Sequence, residues 1–338
     1  MGRGLSPPAM EVDMKKTAVG LVSLALLAAC GSDAEEEAVT ILTHDSFVMS
    51  EEQIAAFEEE SGYTLQTIAP GDGGVLVNQL ILNRDNPQAD GVYGVDTFIA
   101  RTVIEEALLA PYTSPALPES AESLVVADSL TPIDQGDVCI NIDTAWFEEE
   151  GMTPPEGLED LRAPEYAALT AVIDPATSSP GYAFLVATAT EFGDDWQDYW
   201  ADLLDGGARV ASGWSDAYYS DFSGADGDGP YPLVLSYSSS PAAAPGTDYL
   251  PDTCVRQVEY AGVVEGAANP EGAQAFIDFM LSDAFQSSIP ENMYMYPVTD
   301  QELPAEWQEV AELSDTPIMV DPQRVDRGEL LSAFADLR

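Results

Sequence analysis

After Lys16 the sequence contains no lysine, and His44 is its only histidine. Of 338 residues, 60 are Asp or Glu against 11 Lys or Arg, a formal net charge of −49. A chain so poor in positive side chains has no patch with which to neutralise phosphates, which excludes nucleic acid as a partner and anionic lipid as a docking surface. With one histidine and no Gly-x-Ser-x-Gly elbow, a Ser-His-Asp hydrolase has no support. The clustered His and Cys ligands of a zinc site are missing, as are a Walker phosphate loop and a dinucleotide fingerprint. Carboxylates are abundant, so residue type leaves a carboxylate-pair glycosidase open, but no local motif argues for one. Neither a catalytic residue nor a cofactor is expected.

Long apolar runs are equally scarce. One almost uninterrupted stretch, Ala18 to Ala29, falls short of the roughly 20 residues that a membrane-spanning helix needs. It follows Lys15 and Lys16 and ends at Leu27-Ala28-Ala29-Cys30, the layout of a secretory signal over residues 1–29, with Met14 as a plausible start. The last four residues resemble the bacterial lipobox, which implies that Cys30 is acylated and anchors the chain to a membrane. Residues 30–38, with Glu35, Glu36 and Glu37, then read as an acidic tether. Cys139 and Cys254 remain, either two buried thiols or a bridge; export favours the bridge. The acidic field suits a solvated surface in a salty medium and would also steer a cation toward the protein.

At 46% hydrophobic content the whole chain is globular, and the part after the signal is long enough for two domains. Ser50 and Gln53 form a capping box before a helix that Gly62 stops. Strands are predicted over 39–42, 63–68, 91–95, 138–142, 169–173, 232–237 and 255–260. Helices are predicted over 75–82, 180–190 and 194–204, and from an Asn269-Pro270 start with an apolar stripe of Ala273, Phe276, Ile277, Met280 and Leu281. This alternation indicates an α/β fold with a mainly parallel sheet. Polar turns follow several strands: Asp72-Gly73-Gly74, Ser178-Ser179 before a helix, Gly213-Trp214-Ser215, and Tyr237-Ser238-Ser239-Ser240. Ligands of open α/β sheets sit beyond such strand ends, and the start of a helix is a natural seat for phosphate.

From about Val39 to Val298 these motifs resemble the thiamine-binding proteins of bacterial ABC importers, a branch of the type II periplasmic binding proteins. The resemblance is carried by Thr43-His44-Asp45-Ser46-Phe47, Asp72-Gly73, Gly94-Val95-Asp96, Asp174 to Gly181, Gly213-Trp214-Ser215, Leu235-Ser236-Tyr237-Ser238-Ser239-Ser240-Pro241-Ala242 and Gln257-Val258-Glu259, and by Tyr296-Pro297-Val298. It implies a two-lobed fold with the ligand in the cleft. Lobe one would take residues 39–135 and 245–315, lobe two 136–244, and residues 316–338 would form a helical tail of unassigned lobe. It implies thiamine or a thiamine phosphate as ligand, an ABC permease and its ATPase as partners, and a monomer.

Carried over residue by residue, the contacts are Asp72, Gly73, Ser178, Ser179, Trp214, Tyr237, Ser238, Ser239 and Ser240, with His44, Asp96 and Tyr294 added as pocket residues. Trp and Tyr faces would stack on the rings and stabilise the cation. Asp72 and Asp96 would offset its charge, and Ser178 and Ser179 would hold the hydroxyethyl or phosphate arm. The resemblance also places Cys139 and Cys254 on strands that cross between lobes. There are departures: His44 stands where tyrosine is common, Tyr294 where tryptophan is common, and Ala243 replaces an aromatic. Rival readings are a polyamine or ferric-iron binder of the same fold (Tyr218-Tyr219 would suit iron), a surface hydrolase, and a ligandless scaffold.

Overall fold

The computed structural model describes residues 37–338 except 226, 311–312 and 323–324. The predicted signal, Cys30 and nearly all of the tether lie outside the described residues. Among the described residues no helix is long and apolar enough to cross a membrane.

Local signals are met where the chain must start and stop. Strand β1 (Glu37–Thr43) leads to helix α1 (Glu51–Ser61), whose Ser50 and Gln53 bond each other reciprocally, Ser50 Oγ accepting from Gln53 N and Gln53 Oε1 from Ser50 N. Gly62 closes α1 in the left-handed conformation at φ 75°, which a residue without Cβ adopts at no steric cost. Then follow β2 (Tyr63–Ile68), α2 (Gly73–Asn83), β3 (Gly91–Asp96) and the short β4 (Leu109–Ala110). The long strand β5 (Thr131–Asp143) leads into β6 (Thr170–Ile173), α3 (Ser179–Phe192), α4 (Trp196–Asp205), β7 (Arg209–Ala211) and β8 (Leu233–Tyr237). The return consists of β9 (Thr247–Tyr249), β10 (Val255–Val264), α5 (Pro270–Met280) and β11 (Tyr296–Pro297), and α6 (Arg327–Ala335) ends the chain.

The sheet runs β2-β1-β3-β10-β5-β8-β6-β7, with β4, β9 and β11 beside that path. Its two ends are parallel, β1 with β2 and β3, and β6 with β7 and β8. Its middle is antiparallel, because β10 pairs with β3 and β5, and β5 with β8. The expectation of a mainly parallel sheet is therefore corrected to a mixed one. Strand β5 carries the chain from the first half of the sheet to the second and β10 brings it back. Two neighbouring strands that cross in opposite senses must be antiparallel.

Phe57, Phe276 and Ile277 are buried with Val39, Ile41 and Val92 in the first half, and Phe184, Leu185 and Trp200 with Val172, Ile173 and Leu235 in the second, all within one continuous hydrophobic core. All five residues of the predicted α5 stripe are buried. Phe334 of α6 meets Trp200 of α4 edge-on at 4.9 Å, and Arg338 pairs with Asp174, so α6 lies on the second half, while Arg101 of the first half donates to Val325 O at 3.5 Å. Cys139 in β5 and Cys254, which immediately precedes β10, are joined by a disulfide with their Cα atoms 4.2 Å apart.

Candidate functional site

A cavity of about 180 Å³ lies where strands of both halves end. His44, Asp45 and Ser46 follow β1, Asp72 and Gly73 open α2, and Gly94 belongs to β3. From the other half come Ser179 and Pro180 after β6, Trp214 and Ser215 after β7, Tyr219, and Tyr237 at the end of β8. Glu259 of β10 and the stretch Asn292–Met295 complete the wall. Parallel strands deliver their carboxyl ends to one edge, which is why loops far apart in sequence converge here.

Asp72 ties the two halves together. One carboxylate oxygen accepts from Gly73 N at 2.6 Å and from Ser179 N at 3.1 Å; the other accepts from Trp214 N at 3.0 Å. Two of these donors belong to the opposite half. Val75 N adds a bond to Thr177 O at 3.2 Å, and Ser46 and Ser215 share a hydroxyl contact at 3.2 Å. The start of α3, expected to seat an anion, is thus already filled by a carboxylate.

The aromatic side is built from the second half. Trp214 stacks on Tyr218 with centroids 5.1 Å apart and planes 12° apart, which leaves at most its other face for a ligand. Its indole Nε1 donates to Ser236 Oγ at 2.9 Å, and Ser236 in turn contacts Ser240 Oγ at 2.8 Å. Tyr237 and Tyr294 lie at 6.3 and 6.1 Å from the indole. Tyr294 has φ 54°, an unfavourable left-handed conformation for a bulky residue, and its carbonyl accepts from Ser239 Oγ.

Beneath the cavity three acids lie abreast: Glu259 of β10 is in register with Asp96 of β3 and with Asp134 of β5. Tyr93 OH contacts both Asp134 and Glu259, the latter at 2.8 Å, but a phenol has one proton to give. Burial, reinforced by Glu259, raises the Asp134 carboxyl well above its usual range, which favours its neutral form beside the phenol. Burial likewise pushes Asp96 up to about 8. Glu259 goes the other way: burial opposes its charge, but His44, Tyr93 and Gln257 outweigh burial and hold its pKa low. His44 Nε2 stands 3.7 Å from Glu259 Oε2. Burial disfavours an imidazolium there, yet Glu259, Asp72 and Asp45 together hold the pKa of His44 above its ordinary value.

Gly94 sits under the imidazole at φ +107°, and a Cβ on it would lie 2.6 Å from His44 Cδ2. Gly94→Ala is expected to cost about 1–2 kcal/mol for the left-handed backbone, a melting temperature lower by roughly 2–6 °C, and to displace His44. An unchanged thermal unfolding curve would contradict this.

Of the residues predicted from sequence, His44, Asp72, Gly73, Ser179, Trp214, Tyr237 and Tyr294 are on the wall. Ser178, Asp96, Ser238, Ser239 and Ser240 are not among its lining residues. Ser178 Oγ instead caps α3 by accepting from Gly181 N at 3.3 Å. Asp96 is fully buried, accepts from Phe98 N and Ile99 N, and contacts Ser179 Oγ; raised to about 8 it is largely uncharged at neutral pH, so it is a poor counter-ion. Ser239 and Ser240 position Tyr294 and Trp214 from behind, and Ser238 is buried after β8. Both functional donors of Ser179 are committed, its N–H to Asp72 and its hydroxyl to Asp96, which corrects the expectation that this turn holds an anionic arm. Sequence reasoning missed Asp45, Tyr219 and Glu259 as wall residues. Asp45 adjoins His44 and Glu259 lies in a quoted motif, but strand pairing alone reveals where they point.

Two halves linked by paired crossing strands, with a small cavity lined by residues of both, define the architecture of a two-lobed binding protein. The family described as bacterial extracellular solute-binding protein matches residues 86–316, and the chain belongs to it. A thiamine-binding periplasmic protein from Salmonella typhimurium is 30% identical over 321 residues, 89% of this chain and 93% of that protein. One from Escherichia coli is 31% identical over 308 residues, covering 85% and 90%. Among solved structures, a periplasmic thiamin binding protein superposes with a TM-score of 0.78 at 28% identity, over 89% of this chain and 96% of that one. The two-lobed fold expected from sequence is the fold of this chain.

Proposed function

We propose that the protein captures thiamine outside the cytoplasm and hands it to the permease of an ABC importer. The observation that carries this is the cavity's composition. Four aromatic rings, Trp214, Tyr219, Tyr237 and Tyr294, share its wall with Asp45, Asp72 and Glu259, and no Lys or Arg is among the described lining residues. Flat rings and a fixed positive charge are what such a wall recognises, by stacking and by cation–π attraction of about 0.5–2 kcal/mol per contact. The relatives that bind thiamine support the same ligand.

Free thiamine comes before its phosphates in this reading. A phosphate arm would meet Asp72 already bound at the start of α3, and no basic side chain to replace it. We further assign residues 39–135 with 245–315 to one lobe and 136–244 to the other, with α6 on the second, and anchor the chain through acylated Cys30. Titration with thiamine is expected to give one-to-one binding and quenching of Trp214 fluorescence. Trp214→Ala should weaken binding by roughly 1–3 kcal/mol from lost stacking and buried area. In a thermal-shift panel of thiamine, its mono- and diphosphate, spermidine and ferric citrate, thiamine should stabilise most. Stabilisation by spermidine or iron and not by thiamine would overturn the ligand while leaving the fold intact.

A further inference from the structure

His44 is the one side chain on the described cavity wall that can itself become a cation. It faces Glu259 across 3.7 Å, and its buried Nε2 has no hydrogen-bond partner. Every element packed around it contributes acid or phenol: Asp45 from its own loop, Asp72 from the start of α2, Tyr93 from β3 at 5.3 Å between rings, and Glu259 from β10. Asp134 and Asp96 stand on either side of Glu259, and Tyr237 of β8 lines the same cavity. When His44 carries its proton, the imidazolium has Glu259 as its one carboxylate within 4 Å among the described residues, with Asp45 and Asp72 farther out, and both paired side chains are largely shut off from water. A ligand with a fixed positive charge needs that carboxylate, and two cations cannot share it without strong repulsion.

We propose that Glu259 is the counter-ion of the bound cation, and that the ligand takes its place beside that carboxylate by driving the resident proton off His44. This deepens the thiamine reading and rests on it. The balance is simple: the imidazolium releases one proton to solvent and stays as neutral imidazole, the ligand brings one positive charge, and the net charge of the cavity is conserved. The raised pKa of His44 and the lowered pKa of Glu259 are those of such a resident pair. The sign follows. The free-state pKa of His44 lies above its ordinary value, and a neighbouring cation lowers it in the complex. Between the bound and free values binding expels a proton, so affinity rises with pH by up to tenfold per unit; outside that window pH has no such effect. A tyrosine at position 44, which the resemblance leads one to expect, holds no cation to exchange.

The chain's single histidine makes the test direct. Tag-free protein gives one set of imidazole NMR signals, to be titrated free and saturated with thiamine. The free pKa should exceed 6.5 and the bound value should be at least one unit lower. Calorimetry in buffers of different ionisation enthalpy should find a proton released on thiamine binding near the free-state pKa. None should be released by His44→Tyr, nor when the ligand is deazathiamine, whose neutral thiophene ring replaces the thiazolium while the aminopyrimidine is kept. Glu259→Gln should weaken thiamine at least tenfold and deazathiamine less than threefold. Thiamine binding with an unshifted or raised His44 pKa, or with equal proton release in His44→Tyr, overturns the proposal alone. Absence of thiamine binding at every pH from 6 to 9 overturns the thiamine reading and this one with it. If Glu259→Gln fails to fold, the wild-type NMR titration still decides.

Discussion

Replacing Asp72 with alanine is expected to weaken ligand binding roughly 30- to 700-fold, a cost of about 2–4 kcal/mol. The reason is that the penalty falls on the closed form. With the lobes apart, Ser179 N and Trp214 N are free to bond water. With the lobes shut, alanine leaves both donors buried without the carboxylate that now accepts from them. Charge-assisted bonds are the strongest of their kind, and losing them removes part of what holds the cleft closed. Asp72→Asn keeps one acceptor oxygen and should fall between wild type and alanine. Calorimetry gives the affinities, and small-angle scattering of the ligand-saturated variants should show a larger radius of gyration than wild type. An Asp72→Ala dissociation constant within threefold of wild type would show that the tie does not matter.

Removing the Cys139–Cys254 bridge is expected to lower the free energy of unfolding by about 4–5 kcal/mol. The bridge closes a loop with a sequence separation of 115 residues, and restricting so long a loop in the unfolded chain has an effect of this size in the chain-entropy argument. The double change Cys139→Ser, Cys254→Ser should therefore unfold at a markedly lower guanidinium concentration with a steeper slope, because the unbridged unfolded chain exposes more surface. Neither cysteine lines the cavity, so thiamine affinity should stay within threefold. A loss of stability below 1 kcal/mol would mean that the bridge merely decorates a pair of strands already held by their ladder.

What could be read from sequence followed from local physics. The Ser50–Gln53 box, the Gly62 stop, the Asn269-Pro270 start and the α5 stripe depend on neighbours a few residues away, and the structure has each where expected. Strand direction in the centre depends on which half each strand enters, a long-range fact absent from any window, so the sequence leads to a mainly parallel sheet and does not reveal the antiparallel centre. At the site, residue type identified the right loops but not their inward sides. Tyr237 faces the cavity, whereas the hydroxyls of Ser239 and Ser240 go to Tyr294 O and Ser236, as expected of polar groups that must find partners when buried. Glu259 stands in the sequence only as the end of the Gln257-Val258-Glu259 motif, because nothing local says that Asp96 and Asp134 flank it.

The disulfide also lies at the regular end of the central ladder. It rivets β5 to β10 at Cys139 and Cys254, toward the second lobe, and the two strands keep regular register from Val255–Val138 to Glu259–Asp134. Register breaks only beyond that, around Tyr260, where β10 slips against β5 on one side and against β3 on the other. Such bulges are places where a ladder yields. The irregular stretch of the central ladder therefore lies next to Glu259, so the place where β10 loses its regular pairing and the carboxylate proposed to hold the cargo's charge occupy the same few ångströms of strand.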